Sequence, residues 1–255
     1  MNAKEILDLA LYAGRIMLES GAEVYRVEDT IARICKSCGA DSIESKVTVT
    51  GIDATITYNS ETVTLIKRIK KKDINLTKIE KINQMSRDLA SGYVNANQAK
   101  DILNNIGGMQ EYKPALLILF SGVSSAFFCL MFKGQVISCL MAFIVGAITR
   151  MTLSLLKKIN LSGFIIDFTG GMLVSGLSVA LVRLLAKGDH NEVIIGSVMI
   201  LVPGVAITNA ILDIFHQDYI SGTVKTVDAF ITIIAVATGV AIIFSLISLI
   251  SGGII

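Results

Sequence analysis

From Pro114 to Phe132 the chain runs 19 residues without a charged side chain, and from Ala229 to Ile255 it runs 27. Such stretches constrain the fold more than any other feature, because about 20 apolar residues in a helix cross the ~30 Å hydrocarbon core of a bilayer. Three more stretches follow the same rule. Gln135–Leu156 is broken only by Arg150, Leu161–Leu185 carries Asp167 near its start and Arg183 near its end, and Val193–Leu212 is uncharged over 20 residues. Five transmembrane helices are therefore expected, at about 114–132, 135–156, 161–186, 193–214 and 226–251.

The charges are concentrated elsewhere. Residues 1–113 hold 31 of the 44 Asp, Glu, Lys and Arg side chains, and the remaining 142 residues hold 13. This split implies a polar domain over 1–113 and a membrane domain over 114–255. Overall charged content is 17%, too little polar surface for a wholly soluble chain, where about 25% is usual. A net charge of +2 gives no nucleic-acid footprint, and the basic run Lys67, Arg68, Lys70, Lys71, Lys72 reads as solvated sheet edge or linker. The apolar stretch after Met1 is interrupted by Asp8 and Arg15, unlike a secretory signal. Cys35 and Cys38 form one CxxC with no second pair and no nearby histidine, so neither metal nor cofactor is expected.

Within the polar part, Ile6, Leu7, Ala10, Leu11, Ala13, Gly14, Met17 and Leu18 recur at helical spacing, giving a helix over about 3–20 that Gly21 ends. A second helix is expected from Val24 to Ser37. The period then changes to strand-like alternation at Val47, Val49, Ile52, Ala54, Ile56 and Tyr58. Gly51 and Asp53 mark an expected first turn, Asn59–Ser60–Glu61 a second, and Val63–Ile69 a third strand. Helices at about 75–91 and 96–106 follow, the latter opening with an Asn95/Gln98 capping box. The order ααβββαα is that of a small α+β domain, so the fold class is a polytopic α-helical membrane protein with an N-terminal α+β domain.

Orientation follows from basic residues. The polar domain carries 16 Lys and Arg, and Arg150, Lys157 and Lys158 flank the second connection, against Lys133, Arg183 and Lys187 on the other side. This places the α+β domain in the cytoplasm and, with five spans, the C-terminus outside. Gly134, Ser138, Ala142 and Gly146 form a small-residue stripe, continued by Gly171 and Ser175, that lets helices approach closely.

Ionisable groups within spans are costly and face a partner or a wet cavity. Arg150, Asp167, Asp213 and Asp228 fall toward the cytoplasmic ends of their expected helices and form a candidate polar vestibule. Asn209 lies one turn from Asp213 on the same face. Pro203–Gly204 breaks the fourth expected span, and irregular backbone at that depth is tolerated where it lines a cavity. A packing kink with aspartates anchored at the interface is the bland alternative. Near the N-terminus, Glu19, Ser20, Gly21, Glu23, Arg26, Glu28 and Asp29 crowd a helix–helix corner. Helix capping with a local salt-bridge cluster explains part of it, a cytoplasmic gate or substrate-collecting surface the rest.

The stretch Glu19–Thr30 (ESGAEVYRVEDT) resembles the signature of the threonine/serine exporter family, of the ThrE/YjjP type. Val202–Pro203–Gly204, followed by Asn209–Ala210 and Asp213, resembles that family's second recognisable block. The resemblance implies a secondary exporter of small polar metabolites: threonine and serine in one branch, succinate in another. It also implies a second membrane domain, which in split members is a separate small protein. This chain therefore resembles the larger component of a two-part exporter, with a small membrane partner and homo- or hetero-oligomeric assembly expected.

On this reading Arg150 attracts a substrate carboxylate, Asn209 and the backbone around Pro203–Gly204 orient it, and Asp167 or Asp213 binds an ammonium group or carries a coupling proton. Two alternatives stay open: a membrane-anchored hydrolase-like enzyme, for which no nucleophile–base set is visible, and a regulatory subunit of a transport complex.

Overall fold

The computed structural model describes residues 1–69, 74–109, 112–159 and 161–250. Lys70, Lys71 and Lys72 of the basic run, and the tail of the last expected span, lie outside them. The chain divides into two compact units: 1–111 with 205–227, and 112–204 with 228–255. The first boundary falls two residues before the expected one, and the segment 205–227 returns to the first unit.

In the first unit α1 (Ala3–Glu19) opens on a capping box, in which Asn2 and Glu5 satisfy each other's backbone amides at 2.8 and 2.9 Å. α2 (Val24–Ser37) has the expected bounds. Gly14 brings the two helices together, since a Cβ there would lie 2.7 Å from the Ile31 side chain. Ile6, Leu7, Leu11 and Met17 of α1 share the core with Ile31, Ile34, Ile52, Ile56, Ile82 and Leu103, all essentially inaccessible.

The sheet is the expected antiparallel meander, β1 (Ser42–Thr48), β2 (Gly51–Tyr58) and β3 (Glu61–Arg68), in the order β1-β2-β3. Asn59 and Ser60, both with positive φ, make the two-residue turn between β2 and β3. The first turn differs from expectation. It is Val49–Thr50, and Gly51 and Asp53 lie inside the ladder, opposite Thr48 and Lys46. Glycine fits Gly51 for a different reason: a Cβ would press 3.2 Å from the Lys67 carbonyl of β3. α3 (Leu76–Ala90) and α4 (Ala96–Gly107) complete this part, with the Asn95/Gln98 capping box formed at 2.9 Å in both directions.

The second unit contains α5 (Pro114–Met131), α6 (Val136–Lys157), α7 (Gly163–Leu185) and α8 (His190–Val198). The first three match the expected spans to within two residues. Cys129, Met141, Ala142, Val145, Val174 and Val193 form its buried cluster. Glycines set the helix approaches: side chains at Gly171 or Gly239 would overlap the carbonyls of Val236 and Phe168.

Two spans differ from the expectation. The stretch 193–214, counted as one crossing, is two helices, α8 and α9 (Gly204–Phe215), separated by Met199–Pro203. Pro203 has no amide to bond the carbonyl four residues back and its ring crowds that carbonyl, so the helix cannot continue. Nine and twelve residues are each too short to cross a bilayer. The last helix, α10 (Tyr219–Ile250), starts seven residues before the expected 226. Among the described residues four helices, α5, α6, α7 and α10, are long and apolar enough to span a membrane.

Candidate functional site

The corner between α1 and α2 is where the first unit gathers its buried charges. α1 ends in a Schellman motif: Gly21, at φ +87°, donates to the Leu18 carbonyl at 3.2 Å, and Ala22 donates to that of Met17 at 3.0 Å. The reversal leaves three consecutive carbonyls pointing away from α1, each taken by a different donor. Ser20 accepts from the Asn75 amide at 3.0 Å, Gly21 from Asn209 Nδ2 at 2.6 Å, and Ala22 from Lys225 Nζ at 3.4 Å.

α2 begins without a cap of its own. Glu23 occupies the N-cap position but makes no capping bond, and its carboxylate pairs with Arg26 at 3.2 Å instead. The cap comes from 189 residues away, where Asp213 Oδ1 accepts the Val24 amide at 3.1 Å. An anion at a helix N-terminus meets both an unpaired N–H and the positive end of the helix dipole. Asp213 is fully buried, and its second oxygen lies 2.7 Å from Lys225 Nζ. That contact is outside hydrogen-bond geometry, so charge rather than a directed bond holds it.

The partners reach the corner through a helical hairpin. Asn209 and Asp213 share one face of α9, four residues apart. Gly222 lets α10 lie against α9, since a Cβ there would sit 2.9 Å from the Ala210 carbonyl. Lys225, one turn along α10, is thereby brought to Asp213. In the connection between the helices, His216 stacks on Tyr25 with ring centroids 3.8 Å apart. Burial raises the Asp218 carboxyl above its ordinary range; Asp213 raises it further, while His216 and Lys225 oppose. Burial likewise raises Glu28, opposed by the Val47 amide it accepts at 2.9 Å and reinforced by Asp218.

The other residues of the N-terminal motif are placed differently. Glu19 pairs with Arg15 at 2.9 Å on the surface of α1, and Asp29 pairs with Arg33 along α2. Burial pushes the Cys35 thiol up to about 12, keeping it protonated at neutral pH.

Arg150, Asp167, Pro203, Gly204 and Asp228 belong to the second unit. Asp167, in α7, accepts the Thr232 hydroxyl of α10 at 3.0 Å. Arg150 has a buried Nε without a hydrogen-bond partner. Asp228 is exposed. Pro203 borders an apolar groove of about 490 Å³ with Ile194, Leu201, Val236, Val240 and Phe244.

The structure thus joins Gly21 of the expected gate motif to Asn209 and Asp213, which the sequence grouped instead with Arg150, Asp167 and Asp228, and adds Lys225 and Asp218 around them and Thr232 beside Asp167. Lys225 carried a readable signal, sitting three residues after Gly222 just ahead of a long apolar run.

Among the described residues, four long apolar helices, three of them bearing charged side chains, joined to a polar α+β unit define a multi-pass α-helical membrane protein. The family described as "Putative threonine/serine exporter" matches residues 8–247, and the chain belongs to that family. It is 24% identical over 243 residues to the "Probable succinate transporter subunit YjjP" of Klebsiella aerogenes, covering 93% of this chain and 92% of that one. The protein of the same description from Escherichia coli K12 is 22% identical, with 93% of each chain covered. The "Probable threonine/serine exporter" of Mycobacterium tuberculosis is 19% identical over 95% of this chain but only 46% of its own length. No solved structure matches.

Proposed function

We propose that this chain is the larger subunit of a secondary exporter that moves a small polar carboxylate, threonine or serine in one reading and succinate in the other, out across the cell membrane. The observation that carries the reading is the Asp167–Thr232 bond, an acid inside one apolar helix hydrogen-bonded from another. Intramembrane acids are expensive, and in transporters they serve substrate or proton pathways. Asp167 takes the substrate ammonium or the coupling proton. The Gly21–Glu23 corner, held by Asn209, Asp213 and Lys225, is the cytoplasmic gate.

A small membrane partner supplies the second half of the pathway. The description of two relatives as a transporter subunit supports this, as does a third relative more than twice the length of the matched region. Lys157 and Lys158, at the C-terminal end of α6, favour the cytoplasm for that connection and for the α+β unit. Expecting the C-terminus outside depends on an odd number of crossings; four complete crossings return the chain to its starting side.

Efflux of preloaded threonine, serine and succinate from cells bearing this chain, with and without the partner, tests the proposal. Export of one of them that requires both chains is the expected result. Absence of export of all three, with both chains inserted and assembled, sinks it.

A further inference from the structure

Hydroxyls inside apolar helices ordinarily donate to a carbonyl one turn back, since lipid offers them nothing else. Thr152, Ser154, Thr169, Ser175 and Ser178 of the second unit all do so. Ser125 of α5 and Thr149 of α6 do not. Both are completely buried, and neither hydroxyl oxygen has a hydrogen-bond partner among the described residues. Beside Thr149 stands Arg150, whose Nε is also buried without a partner and which forms no ion pair among the described residues.

Helical spacing sets these three positions along one seam of contact between α5 and α6. Gly146 of α6 lies against Ser125, where a side chain in place of its hydrogen would overlap the serine hydroxyl. Thr149 and Arg150 follow Gly146 by three and four residues, one helical turn or roughly 5 Å along the axis. The seam thus offers a guanidinium and two hydroxyls with no acceptor of their own. A guanidinium offers donors only and no acceptor of its own. Its Nε finds no acceptor among the described residues, although the side chain as a whole is only half-buried.

We propose that the Ser125–Thr149–Arg150 seam binds the carboxylate of the exported metabolite. A carboxylate accepts only, at up to four lone-pair sites, and its two oxygens match two N–H groups of the guanidinium fork. The two hydroxyls donate to the remaining lone pairs. This rests on the exporter reading and deepens it, because threonine, serine and succinate have the carboxylate in common. A carboxylate side chain of the partner subunit has the same chemistry, and the experiment separates the two sources.

The test measures export kinetics and partner co-purification for the full chain assembled with its partner, comparing wild type with Arg150→Lys, Arg150→Gln, Ser125→Ala and Thr149→Val. Lysine keeps the charge but loses the fork, so Arg150→Lys raises KM about tenfold or more while kcat stays within about threefold. Ser125→Ala and Thr149→Val raise KM by smaller factors. The amide of the exported acid does not compete in wild type. An unchanged KM in Arg150→Lys and Arg150→Gln, with wild type exporting, overturns this site and leaves the exporter reading intact. Loss of partner co-purification in Arg150→Gln, with KM unchanged in the assembled fraction, assigns the seam to a subunit ion pair and overturns it too. A wild-type assembly that exports nothing removes both readings.

Discussion

Replacing one member of the Asp213–Lys225 pair should cost far more than replacing both. Asp213 is fully buried and the Lys225 side chain is 13% exposed, with charges 2.7 Å apart. Removing one partner strands the other charge, which for buried pairs costs about 3–5 kcal/mol. Asp213→Leu also uncaps Val24, worth about 1 kcal/mol more. The double replacement Asp213→Leu/Lys225→Met leaves no stranded charge and retains the capping loss, the loss of the long Lys225–Ala22 carbonyl bond and whatever packing changes. The readout is hydrogen–deuterium exchange in the first turn of α2, on the full-length protein in detergent. Because 1.4 kcal/mol is a factor of ten, each single variant should speed exchange there roughly a hundredfold or more, and the double variant about tenfold. A double variant whose loss equals the sum of the singles would falsify the idea that these charges act as one unit.

Three further outcomes are expected. Glu28 has its native pKa raised above the ordinary 4.5, so its ionised form weighs against folding at neutral pH, and that penalty is relieved as pH falls through the raised value. Glu28→Gln should therefore stabilise the first unit at pH 7, with the gain shrinking toward pH 4.5 in paired thermal melts; an equal gain at both pH values refutes the assignment. Gly21→Ala forces a β-carbon into φ +87° and should cost about 1 kcal/mol, with Gly21→Asn costing less, by denaturant unfolding. Asp167→Asn keeps an oxygen for Thr232 but cannot carry a proton, so export should persist with a flattened pH profile, measured as efflux between pH 5.5 and about 8.

What could be read from the sequence was local. The bounds of α2, the Asn95/Gln98 box and the interruption at Pro203 depend on residues within a turn or two of one another, and their chemistry is visible in a linear string. Gly51 shows the limit of that reading. A glycine among strand residues suggests a turn, yet this one lies within the ladder where the β3 backbone comes close, a fact of register. The corner was half legible. Helical spacing pairs Asn209 with Asp213 and marks Gly21 as a helix end, but nothing local says that Asp213 caps a helix 189 residues away. Lys225 is visible as a lone cation ahead of the apolar run, but its role depends on α10 beginning at Tyr219, and hydropathy dates the helix from the later apolar run.

That early start has a physical consequence of its own. A 32-residue helix rises about 48 Å, whereas the hydrocarbon layer takes up only ~30 Å of it. With the uncharged run 229–250 filling that layer, the polar end, Tyr219 to Asp228, stands clear of the acyl chains. Lys225 belongs to that polar end, at headgroup depth in this arrangement rather than at the bilayer centre. Its ammonium group can be hydrated whenever the corner loosens, which makes opening the Asp213–Lys225 contact far cheaper than separating the same charges at the bilayer centre.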